Sequence, residues 1–76
     1  MRFGLARSGP VEVALFDVAG RLVRTLADRT FPAGEHALIW DGRNNEGVPV
    51  SRGVYFARIR TPGTGFEASK KLTLLQ

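Results

Sequence analysis

Cysteine is absent, and histidine, tryptophan and tyrosine occur once each in the 76 residues, as His36, Trp40 and Tyr55. Without cysteine there is no disulfide framework, no thiolate nucleophile and no thiolate zinc site. A single imidazole with no second one beside it does not make a common zinc site, so His36 reads as a packed structural residue. Ser8, Ser51 and Ser69 lie in turns or a strand, none in the strand-to-helix elbow that exposes a nucleophilic serine. A Ser-His-Asp triad has no basis in this spacing. Neither G-x-G-x-x-G nor a Walker sequence occurs, so nothing prepares a phosphate cradle. The residues point to no catalytic group, no cofactor and no metal.

Long apolar runs are missing too. None approaches the roughly 20 residues that span a bilayer, and Met1-Arg2-Phe3-Gly4 has no apolar signal-peptide core. No convincing helical period extends over 11 residues or more. The formal charge is +4, from 11 basic and 7 acidic side chains. The basic residues are scattered and interleaved with acids, whereas nucleic-acid binders cluster them on one face with exposed aromatics. The balance excludes nucleic acid as the favoured partner and leaves room for weak attraction to an anionic polysaccharide or lipopolysaccharide.

What is present is a set of short alternating runs between turn signals. A chain of this size buries only about 60–65% of its unfolded surface, so each large side chain counts. Arg2 to Ala6 reads as a short edge strand. Val11 to Asp17 alternates, with Val11, Val13 and Leu15 on the core face and Glu12 and Ala14 opposite. Asp17-Val18-Ala19-Gly20 carries Asp at the first and Gly at the fourth position of a type I turn. Arg21 to Leu26 returns; the spacing of Leu22, Val23 and Leu26 also fits one helical turn, but the β-branched residues and the preceding turn favour a strand. Ala27 to Gly34 reads as a connection and Glu35 to Asp41 as the next strand, with His36, Leu38 and Trp40 on one face.

Between Trp40 and Tyr55 the glycines, asparagines and a proline form an elaborate turn, with a brief extended piece at Val48–Ser51. Asp41, Asn44, Asn45 and Glu46 crowd that turn with oxygen, yet the order of a calcium loop is absent and Asx turns account for the same residues. Val54 to Arg60 places Tyr55, Ala57 and Ile59 on one face, with Arg58 and Arg60 solvated on the other. Pro62-Gly63-Thr64-Gly65 is a hairpin, and Phe66 to Leu75 is the last strand, with Leu72 and Leu74 inward and Lys71 and Thr73 outward. The expected fold is all-β: a single antiparallel immunoglobulin- or fibronectin-III-like sandwich of about seven strands over residues 1–76. Trp40 is its expected central core residue, with a Trp40→Ala cost of roughly 3–5 kcal/mol. The other reading of Trp40 and Tyr55, as a carbohydrate-stacking platform, requires an exposed ring. Phe16, Phe31, Phe56 and Phe66 fall partly off the core face, and any that are exposed together would form an interaction patch.

Phe16-Asp17-Val18-Ala19-Gly20-Arg21-Leu22-Val23, Gly34-Glu35-His36, Trp40-Asp41-Gly42, Gly47, Val50, Gly53-Val54-Tyr55-Phe56 and Lys71-Leu72 together resemble two related groups. One is the immunoglobulin-like domain of the flagellar hook-capping protein. The other is the type A C-terminal sorting domain of type IX secretion. In this pattern Asp17, Gly20, Trp40, Asp41, Gly42, Gly47, Gly53 and Tyr55 define the fold. The resemblance implies a non-catalytic module at the C-terminus of a longer secreted or cell-surface bacterial protein, recognised by outer-membrane secretion machinery. On that reading Lys70, Lys71, Leu72, Leu74 and Leu75, in the ending Lys70 to Gln76, carry recognition through a sheet edge. The alternatives are a structural assembly module packing against neighbouring subunits, as the hook-cap half of the resemblance implies, and a carbohydrate-binding accessory domain.

Overall fold

In the computed structural model, which describes residues 1–75, the chain forms six strands and no helix. They are β1 (Arg2–Leu5), β2 (Gly9–Phe16), β3 (Leu22–Phe31), β4 (Gly34–Ala37), β5 (Gly53–Thr61) and β6 (Phe66–Leu74). Every pairing is antiparallel; β1 pairs with β4, and the larger sheet runs β3-β2-β5-β6. Gln76, the last residue of the expected recognition ending, lies outside the described residues.

The β2–β3 hairpin follows directly from its four turn residues. The Gly20 amide donates to the Asp17 carbonyl at 3.0 Å, and the amides of Ala19 and Arg21 both donate to Asp17 Oδ1 at 2.9 Å. Gly20 sits at φ 82°, where a Cβ would be strained, which is why glycine ends this turn. The Arg21 amide and guanidinium, with the Ala19 amide, hold the Asp17 carboxyl below its ordinary pKa, against a smaller desolvation effect.

Alternation along β2 turns Val11, Val13 and Leu15 inward, each at most 1% exposed. From β5 come Tyr55 and Ala57, also buried, and Ile59. From the small sheet, Phe3 and Leu5 pack onto Val11, Val13, Ala27 and Phe31 together with Met1 and Leu38. Phe31, 2% exposed, is the largest fully buried side chain. Its ring meets Phe3 edge-on at 5.2 Å and His36 at 5.0 Å, so the two sheets join through aromatic edges at this end.

Several expectations are corrected. The described residues form six strands where about seven were expected. The Val48–Ser51 piece is not a strand, and only a single bridge joins Arg43 to Pro49. The supposed connection after Ala27 is strand as far as Phe31, so Phe31, not Trp40, is the central aromatic. β4 stops at Ala37, not Asp41, where its ladder with β1 ends at Arg2 opposite Ala37. Past it Met1 and Leu38 exchange two main-chain bonds, the Leu38 amide donating to the Met1 carbonyl at 2.7 Å and the Met1 nitrogen to the Leu38 carbonyl at 2.6 Å. After Leu38 the chain leaves the sheet, and Trp40 is half-buried. The Trp40 ring stands edge-on to Tyr55 at 5.1 Å, and its indole N–H donates to the Arg43 carbonyl at 2.9 Å.

The helix-like spacing of Leu22, Val23 and Leu26 also has a structural cause. Val13 pairs with Ala27 and Ala14 with Thr25, so Leu26 is an extra residue; Leu15 pairs with Arg24 and Phe16 with Leu22, so Val23 is another. Two irregularities of this kind in one strand disturb the period of two and sharpen its twist.

Candidate functional site: the two edges of the large sheet

The Asp41–Val48 turn is built from side-chain oxygens that cap backbone amides. Asp41 Oδ1 accepts from the Arg43 amide at 3.0 Å and from Arg24 Nη1 at 3.4 Å. Asn44 Oδ1 accepts from the amides of Glu46 and Val48 at 2.9 and 3.0 Å. Arg43 Nη1 donates to the Gly47 carbonyl at 2.8 Å, and Arg24 reaches the carbonyls of Arg43 and Asn44. Asp41 Oδ1 and Asn44 Oδ1, two of the oxygens that crowd this turn, are directed at backbone amides, as Asx turns require. Gly42, at φ 77°, lies close to the Leu74 side chain and accepts the Val50 amide at 2.9 Å, which closes the base of the turn.

Asn45, at the tip, lies against β3. Its amide donates to the Val23 carbonyl at 3.1 Å, and its Oδ1 accepts the Thr25 amide at 2.9 Å. One residue therefore supplies the donor and the acceptor that a neighbouring strand would offer. The β3 edge is bulged twice and then capped by Asn45.

The opposite edge is different. All nine residues of β6 pair with β5 in one unbroken register, from Phe66 opposite Thr61 to Leu74 opposite Gly53. The strand contains no proline and no register shift, and among the described residues β5 is its only strand partner. On its outer face stand Glu67, Ser69, Lys71 and Thr73; on the face continuous with the core stand Phe66, Ala68, Lys70, Leu72 and Leu74. Leu72 and Leu74 are half-buried. Ala68 and Lys70 are exposed although they flank Ile59 and Ala57, because the two-stranded sheet does not reach across β6. The five residues expected to carry recognition are therefore not one patch: Lys70 and Lys71 lie on opposite faces, and Leu75, 81% exposed, follows the strand.

Elsewhere Arg58 and Arg60, expected to be solvated, are half-buried and converge on Glu12, with nitrogen–oxygen distances of 3.2 and 3.3 Å. The Arg58 guanidinium also lies 4.6 Å from the centre of the Phe16 ring. His36 Nε2 lies 2.7 Å from the Pro32 carbonyl, which can only accept, so this nitrogen carries the proton. Its ring is packed between Phe3 and Phe31, away from any serine hydroxyl contact shown by the structure. An open cleft of about 740 Å³ lies beside Leu5, Ser8, Pro10, Thr61, Thr64 and Phe66; no carboxylate or imidazole lines it.

Residues 3–63 match the FlgD Ig-like domain family, and the chain belongs to that family. It is 35% identical over 66 residues to the basal-body rod modification protein FlgD of Salmonella typhimurium strain LT2, and equally to that of Salmonella typhi; each match covers 83% of this chain and 28% of the relative. No solved structure matches. The matches fall on the flagellar side of the resemblance, and the type IX sorting reading gains no support from them. The expected secreted or cell-surface location rested on that reading, and it is corrected by relatives that are basal-body rod modification proteins. β6 begins at Phe66, beyond the family-matched residues.

Proposed function

We propose that this chain is a non-catalytic, immunoglobulin-like protein-binding module of a flagellar rod and hook assembly protein, acting as a rigid structural part. The match of residues 3–63 to the FlgD Ig-like domain carries this reading. The sandwich assignment draws support from the Tyr55 hydroxyl, which donates to the Ser51 carbonyl at 2.6 Å just upstream of β5. This is the pattern of the tyrosine corner that pins a strand entrance in such sandwiches. Its partners are proteins, in keeping with a surface made of sheet edges and exposed aliphatic side chains and with no arranged acid–base pair among the described residues. As the chain spans about 28% of its relatives' length, it serves as one module of a longer assembly protein.

In-frame deletion of residues 3–63 from the gene that carries them tests this reading. The expected result is a cell that makes the shortened protein but assembles defective hooks and does not swim. Normal hooks and normal swimming would overturn it.

A further inference from the structure

We propose that two copies of this module pair through β6, antiparallel and in one defined register, to make a continuous eight-stranded sheet. The inference rests on the assembly reading above and names the partner: a second copy of this chain.

Three observations support it. First, β6 is an unbulged edge of nine residues without proline, whereas β3, the other edge, is bulged and capped by Asn45. An uncovered edge of this kind presents a row of backbone donors and acceptors to another strand. Second, the strand is complementary to itself. A two-fold axis perpendicular to the sheet keeps outer-face residues opposite outer-face residues, so the register moves only in steps of two. With the axis at Ser69, Glu67 stands opposite Lys71 of the second copy, twice by symmetry, and Phe66 stands opposite Leu72, also twice. Opposite charges and apolar pairs directly across a ladder are the stabilising combinations. Moving the axis to Lys70 sets two lysines against each other and loses both charge pairs; moving it to Ala68 sets Phe66 against Lys70. Third, the groups this register uses are free to be used. Glu67, Ser69, Lys70 and Lys71 are exposed, and among the described residues neither Glu67 nor Lys71 forms an ion pair. Phe66 is 57% exposed, an apolar surface that Leu72 of the second copy would cover.

Lysines on an edge strand ordinarily discourage pairing. Here each has a place in the pair: Lys71 faces Glu67, and Lys70 faces Ala68, where its stem can lie along a small residue.

Charge exchange tests the register. Sedimentation of the parent chain up to about 1 mM, the range a small interface demands, should show a monomer–dimer equilibrium. Glu67→Lys and Lys71→Glu should each weaken it by about tenfold or more, because each places like charges opposite one another twice. An equimolar mixture of the two variants should associate more tightly than either alone, since both cross pairs are then matched. The double variant Glu67→Lys/Lys71→Glu should regain the parent behaviour. Circular dichroism of each variant shows whether it has kept its strands. As the chain has no cysteine, Ser69→Cys should form a disulfide dimer across the axis in mild oxidant, while Thr73→Cys, far from the axis, should not. A strict monomer, equal association of all variants, or equal crosslinking at both positions would overturn the pairing. Those results leave the assembly reading itself to the in-frame deletion.

Discussion

β3 and β6 bound the same four-stranded sheet and are finished in opposite ways. β3 carries two irregularities, and a single asparagine from a distant turn satisfies its outward backbone at Val23 and Thr25. Phe31, at its end, is buried beneath the small sheet. β6 runs without interruption beside β5, keeps its charges in solvent and has no layer over Ala68 or Lys70. A two-stranded sheet covers only part of a four-stranded one, and here the covered part is the β3–β2–β5 side. A domain this small has few large side chains, and here they close the β3 edge and leave the β6 edge without a covering layer.

The largest test of this contrast compares an aromatic on each side. Phe31→Ala should cost roughly 3–5 kcal/mol, enough to unfold much of a domain this small. Phe66→Ala should change monomer stability by no more than about 0.5 kcal/mol, as expected for an exposed site. Urea melts of both variants at low protein concentration check this; equal losses would mean that the two sides are equally closed.

Next comes the ring that closes the base of the turn. Trp40→Ala should cost roughly 2–3 kcal/mol, less than Phe31→Ala, because the ring is only half-buried yet packs on Tyr55 and donates to the turn. Melts of the two alanine variants side by side would reverse the ranking if tryptophan were the true centre.

A smaller effect is expected at the edge cap. Asn45→Ala removes the acceptor for the Thr25 amide but keeps the main-chain bond to Val23, and should cost about 1 kcal/mol. Hydrogen exchange should show the Thr25 amide losing protection while β2 and β5 keep theirs. Unchanged protection at Thr25 would mean that Asn45 is not what guards this edge.

The smallest change is at the hairpin that leads into β3. The folded pKa of Asp17 is depressed, chiefly by the Arg21 amide. Its contribution is therefore complete above the ordinary aspartate value of about 3.9 and disappears as pH falls through the lower folded value. Asp17→Asn should melt below the parent at pH 6, and the gap should close as pH falls below the ordinary aspartate value. A gap that stays constant over this range would show that the carboxylate charge contributes nothing.

Much of this was readable from residues alone, for local reasons. The hairpin at Asp17–Gly20 needs only a carboxylate at one position and a glycine three further on, and the structure forms the expected bonds. The inward set of Val11, Val13 and Leu15 follows from a period of two, as does the face shared by Tyr55, Ala57 and Ile59. Where a strand departs from that period, the reading fails for the same reason. The extra residues Val23 and Leu26 blur the period of β3, and Phe31, which lies past them, therefore reads as part of a connection. Trp40 is large and apolar and so reads as core, but it lies past the end of β4, and its ring sits half-buried against Tyr55.

The candidate site divides along the same line. Lys70, Lys71, Leu72 and Leu74 were legible as members of a final alternating strand, and the sign of each charge with them. Nothing in a linear sequence says which strand of a sheet is outermost or how far a second layer extends over it, since both depend on contacts between residues remote in the chain. The sequence by itself determined an all-β antiparallel domain, its main hairpin turns and the inward faces of β2 and β5, because those rest on neighbours one to four residues apart. Only the tertiary structure decided that Phe31 is the centre, that Asn45 guards one edge and that β6 is left open, because burial and edge position belong to the packed sheets and not to any one strand.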